Sequence, residues 1–144
     1  MAGAMKRTAL TRSTPLKKKR GTSTAKLKRD ALKAWGAYIH ARDQVCQYCG
    51  KADGKLDAHH IMIRSFAATA TDERNGVLLD FQHHALMHSD PMAAVVFYTQ
   101  LLGQQGYEAL REKAYEGRNQ TMRAAFWRDE AERLSGLLEG LSND

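Results

Sequence analysis

The chain has 144 residues, which suits one domain of ordinary size with short flanking tails. Hydrophobic residues make up 43% and charged residues 26%, a balance typical of a folded, water-soluble protein. No apolar run approaches the ~18–20 residues of a membrane-spanning helix, and the basic N-terminus is not followed by the apolar segment of a secretory signal. We therefore expect a cytoplasmic protein rather than a membrane or secreted one.

The net charge of +6 is distributed unevenly along the chain. Residues 1–29 contain ten Lys or Arg and no acid, whereas residues 30–144 carry a net charge of −4. Residues 1–22 are predicted to form a basic arm that is disordered alone and binds the phosphate backbone of DNA. Its densest basic run is Lys17, Lys18, Lys19 and Arg20. A solubilising tail and a nuclear-targeting sequence are the alternative interpretations.

The hydrophobic spacing after the arm predicts an α+β fold. Leu27, Ala31 and Trp35 recur at helical spacing and predict a leading helix over residues 23–43. Strands are expected over 56–63 and 76–79, on either side of an irregular loop, and a helix over 80–88 follows the second strand. Three more helical segments are predicted over 92–102, 107–116 and 120–141.

These elements are assigned to one domain over residues 23–144. Its central core spans 44–90, and residues 91–141 form a helical tail. The apolar face of the tail either packs on the chain's own core or forms a dimer, so both a monomer and a homodimer are consistent with the sequence.

Five of the six histidines lie between positions 59 and 88. His84 and His88 are four residues apart on a predicted helix, so both imidazoles project from one face and can bind one ion. His59 and His60 are neighbours on a predicted strand and point to opposite sides. One of them can therefore bind a metal while the other has a different role. The alternative is a set of surface histidines that share no site.

The run from Asp57 to Ile61, followed by Asn75, His84 and His88, resembles the HNH endonucleases, including the branch of colicin-type DNases. Those enzymes have the ββα-metal fold, a two-stranded hairpin and a helix around one catalytic ion. The resemblance implies that His60 is the general base and that Asn75 pins the loop and orients that base. It also implies that the ligands of the catalytic ion are His59, His84 and His88.

These residue types suit phosphodiester hydrolysis. A neutral histidine can activate water, and a divalent ion stabilises the charge on the phosphate and on the departing oxygen. Imidazole ligands favour Zn²⁺, Ni²⁺, Co²⁺ or Mn²⁺ over Mg²⁺, although Mg²⁺ stays a candidate for the working ion. Arg64 and Arg74 in the loop are candidates to bind the scissile phosphate.

The two-residue spacing of Cys46 and Cys49 indicates a metal or redox site rather than a disulfide scaffold. The segment resembles the zinc knuckle of an HNH subgroup, and Asp80 and His83 stand where that subgroup has its second cysteine pair. The resemblance implies one structural Zn²⁺ held by these four residues. Alternatively, Asp80 caps the following helix and leaves a three-ligand or empty site. Two reduced buried cysteines and a redox pair are the remaining interpretations.

The lysine-rich opening, the leading helix ending in Arg42 and Asp43, and the long helical tail resemble the phage NinG/Rap recombination nucleases. That resemblance implies a phage or prophage endonuclease that cuts branched recombination intermediates in the bacterial cytoplasm. One alternative is a phage HNH nickase associated with DNA packaging. Another is a non-catalytic zinc-ribbon module that binds DNA.

Deletion of residues 1–22 would remove seven of the ten positive charges that precede residue 30. Because each phosphate contact contributes ~0.9 to the slope of log K against log salt, losing four contacts should reduce that slope by about 3–4 units. Affinity for branched and linear duplexes, measured at several salt concentrations with and without the arm, checks this. An unaltered slope would mean that the arm does not touch DNA. The catalytic rate on saturating DNA should change much less.

Overall fold

The computed structural model describes residues 21–144, which form an α+β fold. Within this range the strands are β1 (Leu56–His60) and β2 (Gly76–Asp80), and the helices are α1 (Thr24–Asp43), α2 (Phe81–Ser89), α3 (Pro91–Leu102), α4 (Gln104–Glu116) and α5 (Ala124–Ser142). A 3-10 turn, Glu73–Asn75, leads into β2. The predicted DNA-contacting residues Lys17, Lys18, Lys19 and Arg20 lie outside the described residues.

The predicted leading helix is confirmed as α1. Ser23 caps it, and its hydroxyl accepts a hydrogen bond from the backbone N–H of Lys26 at 3.2 Å. The helix buries Trp35 and Ile39 on its inner face. It ends where Gln44 adopts a positive φ of 61°.

The two strands form an antiparallel pair in which Leu56 lies opposite Asp80 and His60 lies opposite Gly76. β2 is buried along its whole length. β1 ends at His60 rather than at the predicted Ile63, because β2 begins at Gly76 and offers no partner beyond that point.

The helix predicted after the second strand is confirmed as α2, and the helical tail packs on the chain's own core. α3 and α4 contribute Phe97 and Leu110 to the core cluster that contains β2 and α2 residues. α5 runs along α1 and buries Trp127 and Leu134. It begins at Ala124, later than predicted, because residues 117–120 form a turn. None of the helices among residues 21–144 combines the length and apolar character needed to cross a membrane.

The C-terminal end of α1 is tied to β2 by hydrogen bonds from an ion pair within α1. Arg42 Nε lies 2.6 Å from the carboxylate of Asp43, and the guanidinium also donates to the backbone carbonyls of Glu73 and Gly76. Asp43 in turn accepts the backbone N–H of Leu78 at 2.9 Å. This network fixes where β2 runs relative to α1.

Asp72 anchors the loop between the strands to α4. Its carboxylate accepts hydrogen bonds from the guanidinium of Arg74 and from Nζ of Lys113, each at 2.8 Å. Burial by itself would raise the pKa of Asp72, but these hydrogen bonds outweigh it and hold the pKa well below its usual range.

We expect Asp72→Asn to lower the free energy of unfolding by about 1–2 kcal/mol at pH 7, because two charge-assisted hydrogen bonds are lost while both partners stay half exposed. The pKa of Asp72 is lower in the folded protein than the ~3.9 of an unfolded chain. The stabilisation is therefore complete above about pH 5 and is lost as the pH falls towards the folded pKa. Denaturant unfolding of both proteins between pH 7 and pH 2 should show the gap closing.

The exposed Asp53 provides the matched control. Asp53→Asn should follow the wild-type curve at every pH. A gap between wild type and Asp72→Asn that stays constant down to pH 2 would contradict the assignment of this stabilisation to the ion pairs.

Candidate metal centres and the adjoining groove

Two groups of metal-ligating side chains lie around α2. We call them the thiol cluster, formed by Cys46, Cys49, Asp80 and His83, and the histidine cluster, formed by His59, His84 and His88. In each group the ligand atoms lie within 4.8 Å of one another. Adjacent helical residues are about 100° apart around the axis, so His83 and His84 serve different sites from the same turn.

The thiol cluster has the dimensions of a tetrahedral metal site. Nδ1 of His83 lies 3.8 Å from Sγ of Cys46, and Oδ2 of Asp80 lies 3.3 Å from Sγ of Cys49. Ligand bonds of ~2.3 Å to sulfur and ~2.1 Å to nitrogen or oxygen, at tetrahedral angles, place such atoms about 3.6 Å apart. These residues therefore fit a four-coordinate ion with only small adjustment.

Asp80 both caps α2 and faces the thiols. One carboxylate oxygen, Oδ1, accepts the backbone N–H of His83 at 2.8 Å, which makes Asp80 the N-cap of the helix. The other oxygen, Oδ2, faces Cys49. The backbone hydrogen bond is the largest of the effects that lower the pKa of Asp80. The cap and the ligand, which the sequence posed as alternatives, are therefore compatible in one side chain.

The two cysteines differ in their surroundings. Cys46 is buried and Cys49 is exposed, and both are free thiols. The backbone N–H of Lys51 lowers the pKa of Cys49, but desolvation and the hydrogen bond to Asp80 outweigh this and raise it. A metal ion that replaces the thiol proton would remove this penalty.

The histidine cluster is built by one buried strand residue and two helix residues. The imidazole ring of His59 lies 4.9 Å from that of His84 and 5.1 Å from that of His88, measured between centroids. Burial, reinforced by the neighbouring imidazoles, lowers the pKa of His59 to about 3. The ring therefore stays neutral, as metal ligation requires.

Two polar groups outside the cluster lie next to its imidazoles, and one of them makes a hydrogen bond. The hydroxyl of Tyr98 lies 2.6 Å from Nε2 of His59, and Oδ2 of Asp57 lies 3.7 Å from Nδ1 of His84. A histidine that binds an ion through one ring nitrogen directs its other N–H to such an acceptor. With Nε2 of His59 bound to Tyr98, Nδ1 is the ring nitrogen of His59 that is left for an ion.

The side chain of His60 takes no part in the histidine cluster, as expected for the neighbour of His59 on a strand. Its ring stacks on Trp35 at 3.8 Å between centroids, and its Nε2 donates to the backbone carbonyl of Ala70 at 2.8 Å. Burial lowers the pKa of His60, partly opposed by this hydrogen bond and reinforced by the charge of Arg64. The neutral ring therefore has its proton on Nε2 and its free lone pair on Nδ1.

The loop that carries Ala70 is pinned by Asn75. The side chain of Asn75 is fully buried; it accepts from the backbone N–H of Met62 at 2.6 Å and donates to the carbonyl of Thr69 at 2.8 Å. On the outer side, the hydroxyl of Thr71 donates to Glu130 of α5 at 2.6 Å. The carbonyl that binds His60 is thus fixed between two anchored neighbours.

Gly76 allows the approach that packs Trp35 beneath His60. A Cβ at this position would lie 2.5 Å from the ring of Trp35 and from Cδ1 of Ile39, far inside contact distance. Because Gly76 is the strand partner of His60, its missing side chain makes room for the aromatic surface on which the imidazole rests.

A groove of about 850 Å³ is lined by both the histidine cluster and His60. Arg64 also lines it, whereas Arg74 does not: Arg74 is bound to Asp72 on another part of the surface. The structure therefore brings one of the two candidate phosphate-binding arginines to the histidines and separates the other from them.

Part of the groove comes from residues that the sequence reasoning treated as core packing or did not single out. These are Tyr98 of α3 and the residues Tyr107, Arg111 and Tyr115 of α4. The four-residue spacing of the last three was a readable sign of one helix face. Nothing in the sequence showed which neighbour that face meets.

Comparison of the chain with protein-family models, with curated proteins and with solved structures finds no match.

Titration of metal-free protein with Co²⁺ should distinguish the two clusters. Thiolate ligands give Co²⁺ an intense near-ultraviolet charge-transfer band, whereas imidazoles do not. Cys46→Ser should abolish this band and leave Co²⁺ binding at the histidine cluster unchanged. His84→Ala should keep the band and weaken Co²⁺ binding at the histidine cluster by at least tenfold. Isothermal titration of the same samples supplies the affinities. Retention of the band in Cys46→Ser would place the thiolate-bound ion elsewhere.

Proposed function

We propose that this protein is a metal-dependent endonuclease with an HNH, or ββα-metal, core that hydrolyses phosphodiester bonds of DNA. The observation that carries the proposal is the placement of His60. It lines the same groove as the histidine cluster, takes no part in that cluster, and has its Nε2 held by a backbone carbonyl. A histidine held in one tautomer beside a metal site is what a general base requires.

In this mechanism Nδ1 of His60 accepts a proton from a water molecule, which attacks the scissile phosphorus. The ring of Trp35 and the carbonyl of Ala70 hold the imidazole in place during the transfer. A divalent ion held by the histidine cluster would supply positive charge to the phosphate and to the departing 3′-oxygen. Mg²⁺, Mn²⁺, Zn²⁺ and Ni²⁺ are the candidate ions.

Electrostatics favour a phosphodiester in this groove. Among the described residues that line it there are two arginines, Arg64 and Arg111, and no carboxylate. Arg64 lines the groove together with His60, so we propose that it binds the phosphate that the base's water attacks. The basic arm, which lies outside the described residues, is proposed to add contacts to the DNA backbone.

We assign the thiol cluster to a structural Zn²⁺. Four protein ligands close a tetrahedral site and leave no position for substrate, and the set of two sulfurs, one nitrogen and one oxygen suits zinc. Such an ion would clamp the segment that carries Cys46 and Cys49 onto the first turn of α2. It would thereby stabilise the helix that presents the histidine cluster.

The proposed substrate is branched DNA of a phage or prophage, as the resemblance to recombination nucleases implies. The competing candidate is a non-catalytic DNA-binding module built around the same metal ions. The two candidates can be distinguished by mutating His60, because a non-catalytic module does not use the free ring nitrogen of this residue.

We expect His60→Ala to lower the rate of plasmid nicking by ~10²–10⁴-fold, because the general base is lost. Metal affinity should stay near that of wild type, since His60 is not in either cluster. His84→Ala should lower nicking and metal affinity together. The nicking rate is measured on supercoiled plasmid with each candidate ion and again after EDTA. The metal affinity is measured by isothermal titration.

The control is His40→Ala, which alters an exposed histidine on α1. It should nick at the wild-type rate. Thermal unfolding of each variant separates loss of the base from loss of the fold, because removing His60 also removes its contact with Trp35. Wild-type nicking by a folded His60→Ala protein, or nicking that survives complete metal removal, would reject the mechanism. Absence of cleavage by the wild type with every ion would favour the non-catalytic module.

A further inference from the structure

One wall of the groove is a row of side chains on α4, which we call the α4 stripe: Tyr107, Arg111 and Tyr115. Their four-residue spacing aligns them along one helix face, and all three line the groove. At ~1.5 Å per residue the stripe is about 12 Å long. That length matches about three base steps of a DNA strand at ~3.4 Å each.

The far end of the α4 stripe presents an open aromatic surface. Tyr115 is 46% exposed, although its ring makes an edge contact with Phe66 at 5.5 Å between centroids. The guanidinium carbon of Arg111 lies over one face of the Tyr115 ring, 5.0 Å from its centre, so a base can stack only on the opposite face. Ile63, which is 59% exposed, lines the same groove. An aromatic ring, a cation and an apolar side chain are thus available to a ligand at this end.

The charge along this wall selects an anionic ligand. The acidic residues of α4, Glu108, Glu112 and Glu116, each follow a residue of the stripe by one position and do not line the groove. The stripe itself contributes only the positive charge of Arg111. A ligand that combines negative charge with flat apolar faces is complementary to this surface, and a nucleic acid strand has both.

We infer that the α4 stripe is a platform on which unpaired bases stack beside the cleavage site, so that the substrate is DNA with an unpaired segment rather than continuous duplex. This inference takes the groove to be the DNA site of the proposed nuclease. In a duplex the faces of each base are covered by its neighbours, and a protein reaches only the base edges and the phosphates. Aromatic side chains in a groove therefore gain contacts mainly from bases that have left the duplex.

The test measures binding rather than cleavage, in the full chain carrying His60→Ala. The probe is a single-stranded oligonucleotide containing 2-aminopurine, whose fluorescence falls when it stacks, and the comparison is the same sequence as a duplex. The single strand should bind more tightly and lose fluorescence on binding. Adding Tyr115→Ala should weaken single-strand affinity about 5- to 150-fold, the range that corresponds to ~1–3 kcal/mol for one stacked base. Duplex affinity should change less than about twofold.

Two matched variants separate stacking from folding and from charge. Tyr115→Phe keeps the ring face and should bind the single strand as the parent does. Arg111→Ala should weaken single-strand binding, whereas Arg128→Ala, which removes an exposed arginine of α5 outside the groove, should not. The inference would be overturned if Tyr115→Ala lost affinity equally for the single strand and the duplex. It would also be overturned if Tyr115→Phe lost as much single-strand affinity as Tyr115→Ala.

The two proposals fail in different ways. If the wild type cleaves no DNA but the stripe variants show the expected binding differences, the nuclease proposal fails and the stacking platform stands. If the wild type and the stripe variants cleave DNA with the same substrate preference, the nuclease proposal stands and the platform is rejected.

Discussion

The junction between β2 and α2 is the constraint on which both candidate sites depend. Asp80 ends the strand, caps the helix through one carboxylate oxygen and presents the other to Cys49. Because this single side chain sets where α2 starts, it also sets the rotation of the helix about its axis. That rotation determines the directions in which His83 and His84 project. A shift of one residue in the start of the helix would rotate each of these imidazoles by about 100° about the helix axis, and neither would then reach the other members of its cluster.

The helices after the core do more than cover it. α4 holds Asp72 through Lys113, and α5 holds Thr71 through Glu130, so two helices of the tail bind the loop next to Ala70. The carbonyl of Ala70 fixes the tautomer of the proposed base, and a buried asparagine anchors the inner side of the same loop. A base that must accept a proton at one atom needs this kind of rigid support, since small displacements of the acceptor lower the rate steeply.

Periodicity and residue chemistry predicted the leading helix, the strand pair, α2 and the shared helix face of His84 and His88, because those features depend on spacing within short segments. The full membership of the two clusters was implied only by the resemblance to the HNH endonucleases. His84 and His88 share a helix face whatever surrounds them, and the alternation along β1 separates His59 from its neighbour. The contacts that complete the sites were not predictable in this way. The hydroxyl of Tyr98 reaches His59 from 39 positions further along the chain. The contact between His60 and Ala70 uses a backbone carbonyl, which every residue has. The sequence therefore did not indicate this contact, and only the folded path of the loop shows it.

The two clusters differ in the number of candidate ligands, and that difference underlies the roles proposed for them. Four side chains surround one centre, so an ion there has its coordination filled and can act only on stability. Three imidazoles surround the other, so an ion there keeps at least one position open towards the groove for water or a phosphate oxygen. Because His83 and His84 are consecutive residues of one helical turn, an ion bound at the closed site restrains the very turn that aims a ligand at the open one.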